Sequence, residues 1–379
     1  MGQEPKAQSR KEAKASPPGI GRLREVLQSH QGERHIIVLQ DFPDPDAISS
    51  ALAHSLISEE YGIHSEILYS GRISHQQNIA LVKLLQINLV RYEESVDLSP
   101  YSGAVYVDNQ GTSSSEAGKA VQKLNIPAVF VVDHHEPQKR LEPEFSDIRH
   151  IGATATIYAQ YLEGGLLDLD AAQEAHVRVA TALLHGIMSD TQCFVRAGRE
   201  DFLAAAFLRG IADAELLEKI MNQARSKRAM EIIYHALENR VSAESFTVSG
   251  IGYLRTEDRD CIPQAADFLV TEENIHTAIV YGIVRGESWE ESLIGSMRTT
   301  KLTIDPDEFI KEVLGKDAAG NYFGGGKVSA GGFAIPIGFL AGNADSEFLE
   351  LKWSTFDAQI KKKIFAKIGV DKELDSGAS

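Results

Sequence analysis

The chain is short of several things, and each shortage removes a class of explanation. Cysteine occurs only at Cys193 and Cys261 in 379 residues, far apart and without metal-type spacing. Two such thiols exclude a disulfide framework and suit a reducing, cytoplasmic compartment. No apolar run approaches the roughly 18–20 residues that cross a bilayer, so no transmembrane helix and no membrane partner is expected. The opening MGQEPKAQSRKEAKASPPG lacks the apolar core of a signal peptide, and Lys6 breaks the myristoylation pattern. Residues 1–19 therefore read as a polar, disordered tail. Positive charge is scarce as well: 38 Lys and Arg against 54 Asp and Glu, a formal net charge of −16. That argues against a long duplex-binding surface, which needs clustered cations, and leaves room for a small basic pocket that takes a short nucleotide.

What the chain does have is an alternation of short apolar runs and helical segments. HIIVLQ reads as a buried parallel strand and AISSALAHSLISEE as the helix that follows it. HSEILY, GAVYVDN and PAVFVVD read as further strands, separated by segments such as EAGKAVQKL. This order predicts a mostly parallel α/β sheet, in which ligands bind at the carboxyl ends of the strands. From Gly152 the pattern turns helical, and near Val241 a second strand-rich unit begins: SFTVSGIGYL, HTAIVYGIVRG, SLIGSMRTT and YFGGGKVSAGGFAIPIG. The expected organisation is an α/β chain of two domains: residues 20–220, a helical linker over 221–243, and a smaller α/β domain with a mixed sheet over 244–365. A frayed tail over 366–379 would close the chain.

Four segments end a strand or helix in acids or histidines. Asp44 and Asp46 lie in PDPD after the first strand, where an extended loop would turn one carboxylate to each side. Asp108 ends AVYVD. Asp133, His134 and His135 end AVFVV, and Asp190 closes the helical HGIMSD. Each has an ordinary alternative, such as Asp46 capping the next helix or Asp108 sitting in a turn. Four such ends in one α/β unit would rarely coincide by chance. Oxygen-rich ligation with one or two imidazoles suits Mn²⁺ or Mg²⁺ better than Zn²⁺ or Fe²⁺.

FPDPDAISSA, VYVDN, VVDHHEP and LLHGIMSDTQCF resemble the four successive motifs of the DHH phosphoesterases, and GSMRTT and GGGKVSAGGF resemble motifs of the DHH-associated C-terminal domain. The resemblance runs from about Arg34 to Gly338. It implies a catalytic domain followed by a substrate-binding domain, and hydrolysis of phosphoesters by a hydroxide activated between two metal ions, Mn²⁺ or Mg²⁺, ~4 Å apart. By the same resemblance Asp44 binds the first ion, Asp46 the second, and Asp108 both. His134 and Asp190 complete the second site, His135 serves the substrate phosphate or leaving group, and Asp133 orients the histidines from behind. Arg298, Gly324, Gly325, Gly326 and Lys327 would contact the substrate. The implied partners are short oligonucleotides, as for an oligoribonuclease, or small phosphonucleotides such as phosphoadenosine phosphate; a homodimer is allowed.

Three positions depart from the family pattern. Gln40 stands where the family has a histidine ligand of the first ion, so a weakened or remodelled first site is expected, with Asp41 as a substitute ligand. Lys327 replaces a histidine: it can bind phosphate as a point charge but cannot relay a proton near neutral pH. No arginine follows Asp108 in NQGTSSS, and Arg72 is a candidate to compensate. These departures keep a second function class open: a nucleotide-binding regulatory protein with a degenerate site and little turnover.

Overall fold

The computed structural model describes residues 19–73, 75–111, 115–286, 290–342 and 345–370. The N-terminal tail through residue 18 and the polar stretch from 371, expected to be disordered and frayed, lie outside the described residues, as does part of NQGTSSS. The chain divides into two units, Met1–Gln223 and Ala224–Ser379. Among the described residues no helix is long and apolar enough to cross a membrane.

The first unit runs α1 (Ile20–Ser29), β1 (Arg34–Val38), α2 (Pro45–Glu60), β2 (His64–Tyr69), α3 (Gln76–Leu84), β3 (Leu89–Arg91), β4 (Gly103–Val107), α4 (Glu116–Lys123), β5 (Ala128–Asp133), β6 (Phe145–Ile148), α5 (Thr154–Glu163), α6 (Glu174–Asp190), α7 (Arg199–Arg209) and α8 (Ala214–Met221). Its sheet is parallel throughout, in the order β3-β2-β1-β4-β5-β6. Successive strand residues point to opposite faces, and both faces are covered. Ile37, Val105, Phe130 and Val132 enter the larger core with α1, α2, α5, α6 and α7. Ile36, Val38, Tyr106 and Val131 enter a second core with Ala117 and Val121 of α4. The strand order reverses direction between β1 and β4. In open parallel sheets that switch leaves a crevice beyond the carboxyl ends of the two strands, because their connections leave to opposite sides. The segments carrying Asp44, Asp46 and Asp108 leave the sheet at that crevice.

The second unit runs α9 (Lys227–Glu238), β7 (Arg240–Ala243), β8 (Phe246–Arg255), α10 (Cys261–Leu269), β9 (Thr277–Arg285), β10 (Glu291–Thr299), α11 (Pro306–Leu314), β11 (Gly324–Lys327), β12 (Ala330–Pro336) and α12 (Ser346–Lys367). Its sheet is mixed, in the order β11-β12-β10-β9-β8-β7, with only β8 and β9 parallel. Helices α9 and α10 pack on one face, and α11 and α12 on the other. The chain is therefore an α/β protein with one parallel and one mixed sheet.

A candidate metal centre at the strand switch

The loop after β1 differs from the extended carboxylate pair expected of PDPD. Asp44 is the N-cap of α2: its Oδ1 accepts the amide of Ala47 at 2.9 Å, and Pro45 takes the first helical position, where its missing N–H is harmless. Asp46 thus lies inside the first turn and does not cap α2. It is fully buried and receives the start of another helix: the amides of Thr154 and Ala155, at the N-terminus of α5, donate to its Oδ2 and Oδ1 at 2.7 Å each. Two helix N-termini, each with a partial positive charge, bear on this pair of acids.

Asp108 follows β4 directly and holds a left-handed backbone, φ +52°, which is uncommon outside glycine and asparagine or aspartate. The conformation turns its carboxylate off the end of the strand into the site. Oδ1 accepts the hydroxyl of Thr154 at 3.0 Å, whereas Oδ2 is buried with no hydrogen-bond partner among the described residues. Thr154 therefore grips both acids, Asp46 by its amide and Asp108 by its side chain.

The end of β5 supplies the imidazoles. His134 Nδ1 lies 3.0 Å from the carbonyl of Ile151, to which it can only donate, so in the neutral ring Nε2 carries the lone pair. That Nε2 lies 3.4 Å from Asp190 Oδ2, 3.5 Å from Asp108 Oδ1 and 3.9 Å from Asp46 Oδ2. Asp190, the last residue of α6, comes to the centre because α6 packs along α2: a Cβ on Gly186 would fall 3.3 Å from the Cα of Asp46. His135 Nδ1 bonds Asp133 Oδ1 at 2.8 Å and lies 3.5 Å from Asp108 Oδ1. Asp133 is held in turn by Gln110 Nε2 at 2.7 Å.

The electrostatics of this arrangement demand a counter-charge. Burial pushes the carboxyl of Asp46 well above the usual range, and the charges of Asp190 and Asp44 push it further; the two helix amides only partly oppose them. Asp108 is raised in the same way, by burial first and then by Asp46, Asp44, Asp133 and Asp190. Asp133 goes down: burial works against it, but bonds from His135 and Gln110 prevail. Buried carboxylates that repel one another, an orphaned carboxylate oxygen and an imidazole lone pair among them form a donor set that fits a divalent cation. At this end of the sheet, two groups of the described side chains are close enough to hold one: Asp46, His134 and Asp190, and Asp108, His134 and His135. Asp44 is in neither group, although its charge is felt by both buried acids. Gln40 is half-buried directly beyond β1, and Asp41 beside it packs its carbonyl against Gly71, where a Cβ would come within 2.3 Å.

The remaining expected residues lie in the second unit. Arg298, Ala330 and Lys327 are directly opposed across β10, β12 and β11, so they share one face of that sheet with the small alanine between the two cations. Arg298 is engaged: its Nε donates to Asp267 at 2.6 Å and its Nη1 to Ser296 at 2.8 Å. Gly324, Gly325 and Gly326 form edge strand β11, and the amide of Gly326 donates to Asp307 at 3.0 Å rather than facing an open cradle. A Cβ on Gly325 would sit 2.6 Å from that carboxylate, which explains the glycine locally.

Sequence reasoning missed Thr154, Ala155 and Gln110. Thr154 and Ala155 hold Asp46 through backbone amides, which leave no mark on residue type, and the Thr154 hydroxyl reaches Asp108 only through the packing of segments far apart in sequence. Gln110 lies two residues past Asp108, and only its position against the DHH segment gives it a role.

Residues 35–187 match the DHH family, N-terminal domain. The chain is 34% identical over 334 residues to an uncharacterized protein of Methanocaldococcus jannaschii, covering 87% of this chain and 63% of that protein. Over 179 residues it is 29% identical to a Bacillus cereus protein named "Probable manganese-dependent inorganic pyrophosphatase", covering 46% of this chain and 53% of the relative. The chain thus spans less than two thirds of either relative. In fold it is similar to an exopolyphosphatase-related protein from Bacteroides fragilis, with a TM-score of 0.63 at 14% identity over 90% of this chain and 97% of the other.

Proposed function

Because residues 35–187 match the DHH family, N-terminal domain, we propose that the chain is a hydrolase of phosphoester bonds that depends on Mn²⁺ or Mg²⁺ and acts on short oligonucleotides or small phosphonucleotides. The observation that carries this reading is the convergence of Asp46, Asp108 and Asp190 on Nε2 of His134, with one buried oxygen of Asp108 lacking a partner among the described residues. Two divalent cations held there would lower the pKa of water and neutralise charge on the substrate phosphate. Asp46, His134 and Asp190 would hold one, and Asp108 both; Asp44 and Gln40 are the candidates for the weaker remainder of the first. Thr154 keeps Asp46 and Asp108 in register. His135, half-exposed and held by Asp133, would give a proton to the leaving oxygen. Arg298 and Lys327 are read as phosphate contacts, for which Arg298 would exchange Asp267 for the substrate.

A second reading, nucleotide binding without turnover, draws on two observations: Gln40 is a weaker ligand than histidine, and Asp44 already uses one oxygen to cap α2. The test incubates purified protein with Mn²⁺ or Mg²⁺ and, separately, oligoribonucleotides of two to five residues, cyclic dinucleotides, 3′-phosphoadenosine 5′-phosphate and pyrophosphate. Release of phosphate or mononucleotide that vanishes with chelator and in Asp108→Asn supports the hydrolase. Nucleotide binding without product from any of them supports the second reading and overturns the first.

A further inference from the structure

A second cluster of histidines and acids lies at the opposite end of the same sheet. His30 caps the C-terminus of α1, Glu33 and His35 flank the start of β1, Ser102 precedes β4 and Glu144 precedes β6. All therefore sit at the amino ends of parallel strands, while the carboxylate centre sits at the carboxyl ends. His30 Nδ1 is 2.9 Å and His35 Nε2 is 3.2 Å from the same atom, Glu33 Oε2, which also accepts Ser102 Oγ at 2.8 Å. The other nitrogen of His30, Nε2, is 3.2 Å from Glu144 Oε2.

Two features of this cluster ask for a positive charge at its centre. A neutral imidazole has one N–H, yet both nitrogens of His30 face carboxylate oxygens, so one lone pair would meet another unless a proton or a cation intervenes. Three groups also crowd a single oxygen of Glu33. A cation between Glu33 Oε2, His30 Nδ1 and His35 Nε2 removes both conflicts, and leaves the Nε2–H of His30 to donate to Glu144. That last contact is the carboxylate–histidine pairing that commonly fixes the tautomer of a metal ligand. The spacings are close to those required: with bonds of about 2.0–2.1 Å, ligand atoms of a tetrahedral zinc site lie about 3.3 Å apart. One ligand atom from each of the three residues lies within 4.8 Å of the other two, near enough to share one ion. His35 is built in: its ring is fully buried and lies over Gly103, where a Cβ would approach it to 2.9 Å. Its Nδ1 has no partner among the described residues; with Nε2 on an ion it carries the ring's N–H, and with Nε2–H donating to Glu33 it carries the lone pair.

We propose that His30, Glu33 and His35, with Glu144 behind His30, form an accessory site for a borderline divalent cation such as Zn²⁺. Its two nitrogens and one oxygen distinguish it from the oxygen-rich centre at the other end of the sheet, which suits harder ions. Filled, it ties α1 to the starts of β1 and β6, and so has a structural role separate from the hydrolytic one. The test uses untagged protein carrying Asp46→Asn and Asp108→Asn, stripped with chelator, and reads Zn²⁺ binding by calorimetry and Co²⁺ binding by visible absorption. The expected result is one equivalent of Zn²⁺ and a tetrahedral Co²⁺ spectrum. His30→Gln is expected to weaken binding at least about 100-fold and Glu144→Gln about 10-fold. Glu33→Gln, which preserves side-chain shape, makes the same test if His30→Gln does not fold. Absence of a Zn²⁺ equivalent, or one that survives both His30→Gln and Glu33→Gln unchanged, overturns the proposal and leaves a proton as the charge that holds His30.

Discussion

Replacing Thr154 by valine removes one hydroxyl and almost nothing else. Valine matches threonine in shape, and the amide that donates to Asp46 Oδ2 at 2.7 Å is untouched. What is lost is the 3.0 Å bond to Asp108 Oδ1, the hydrogen bond that the described residues give to a carboxylate whose Oδ2 already lacks a partner. A hydrogen bond to a charged group contributes about 1.5–3 kcal/mol, and the loss of an outer partner of a metal ligand typically lowers cation affinity about 10–100-fold. The two figures agree, since about 1.4 kcal/mol is tenfold. In the absence of metal the effect is smaller, about 1 kcal/mol or less of unfolding free energy, because Asp108 is raised and can take up a proton in place of the lost donor. Calorimetric titration of Mn²⁺ into wild type, Thr154→Val and Thr154→Ser separates these effects: affinity should fall in the valine variant and return with serine, while thermal unfolding of the metal-free proteins changes little. Mn²⁺ affinity within twofold of wild type in Thr154→Val would refute the idea that this threonine sets the two acids in register.

Gln40→His should raise Mn²⁺ affinity at the weaker of the two sites, since imidazole is the stronger ligand; unchanged stoichiometry and affinity would mean that position 40 does not face an ion. Gly186→Ala places a methyl 2.3 Å from Ser49 Oγ where α6 crosses α2, and is expected to destabilise the first unit by about 1–3 kcal/mol and to weaken cation binding, as read by chemical denaturation and titration. His185 is buried, with no partner for either ring nitrogen among the described residues, and burial, with the charge of His75, lowers its pKa to about 4. A folded-state value below the unfolded 6.5 means that the unfolded chain takes up the proton first, so stability is complete above pH 6.5 and falls as the pH drops towards 4, by about 2 kcal/mol at pH 5. Urea denaturation of His185→Leu should show that much less loss between pH 7 and 5 than wild type, and an equal slope in the two would exclude this histidine as the source.

The acid-bearing strand ends were legible because each is a local pattern: an apolar run long enough for one buried strand, then a carboxylate where the chain must turn. The strands β1, β2, β4 and β5 announce themselves in this way. Strands β3 and β6 do not, being three and four residues long, and FSDI of β6 has only two apolar positions to mark it. The division of work between Asp44 and Asp46 was not legible either. Both precede the same helix, and which of them caps it depends on Pro45 occupying its first position. Asp46 is instead satisfied by amides more than a hundred positions away, at the start of α5, a partnership that only the packing of α5 beneath α2 creates. Arg298 shows the same limit in the second unit: its type advertises an anion, and the anion it meets here is Asp267.

Asp108 has a consequence for which residues this position can accept. It must adopt a left-handed backbone and also present a carboxylate close to the main chain, and few side chains satisfy both requirements. Glycine meets the first alone, and glutamate sets its charge one carbon too far out. Asparagine keeps the backbone and the shape but surrenders the charge. A saturation library at position 108 should therefore separate folding from chemistry cleanly: asparagine and glycine among the folded variants, aspartate alone among the active ones, and β-branched residues in neither group.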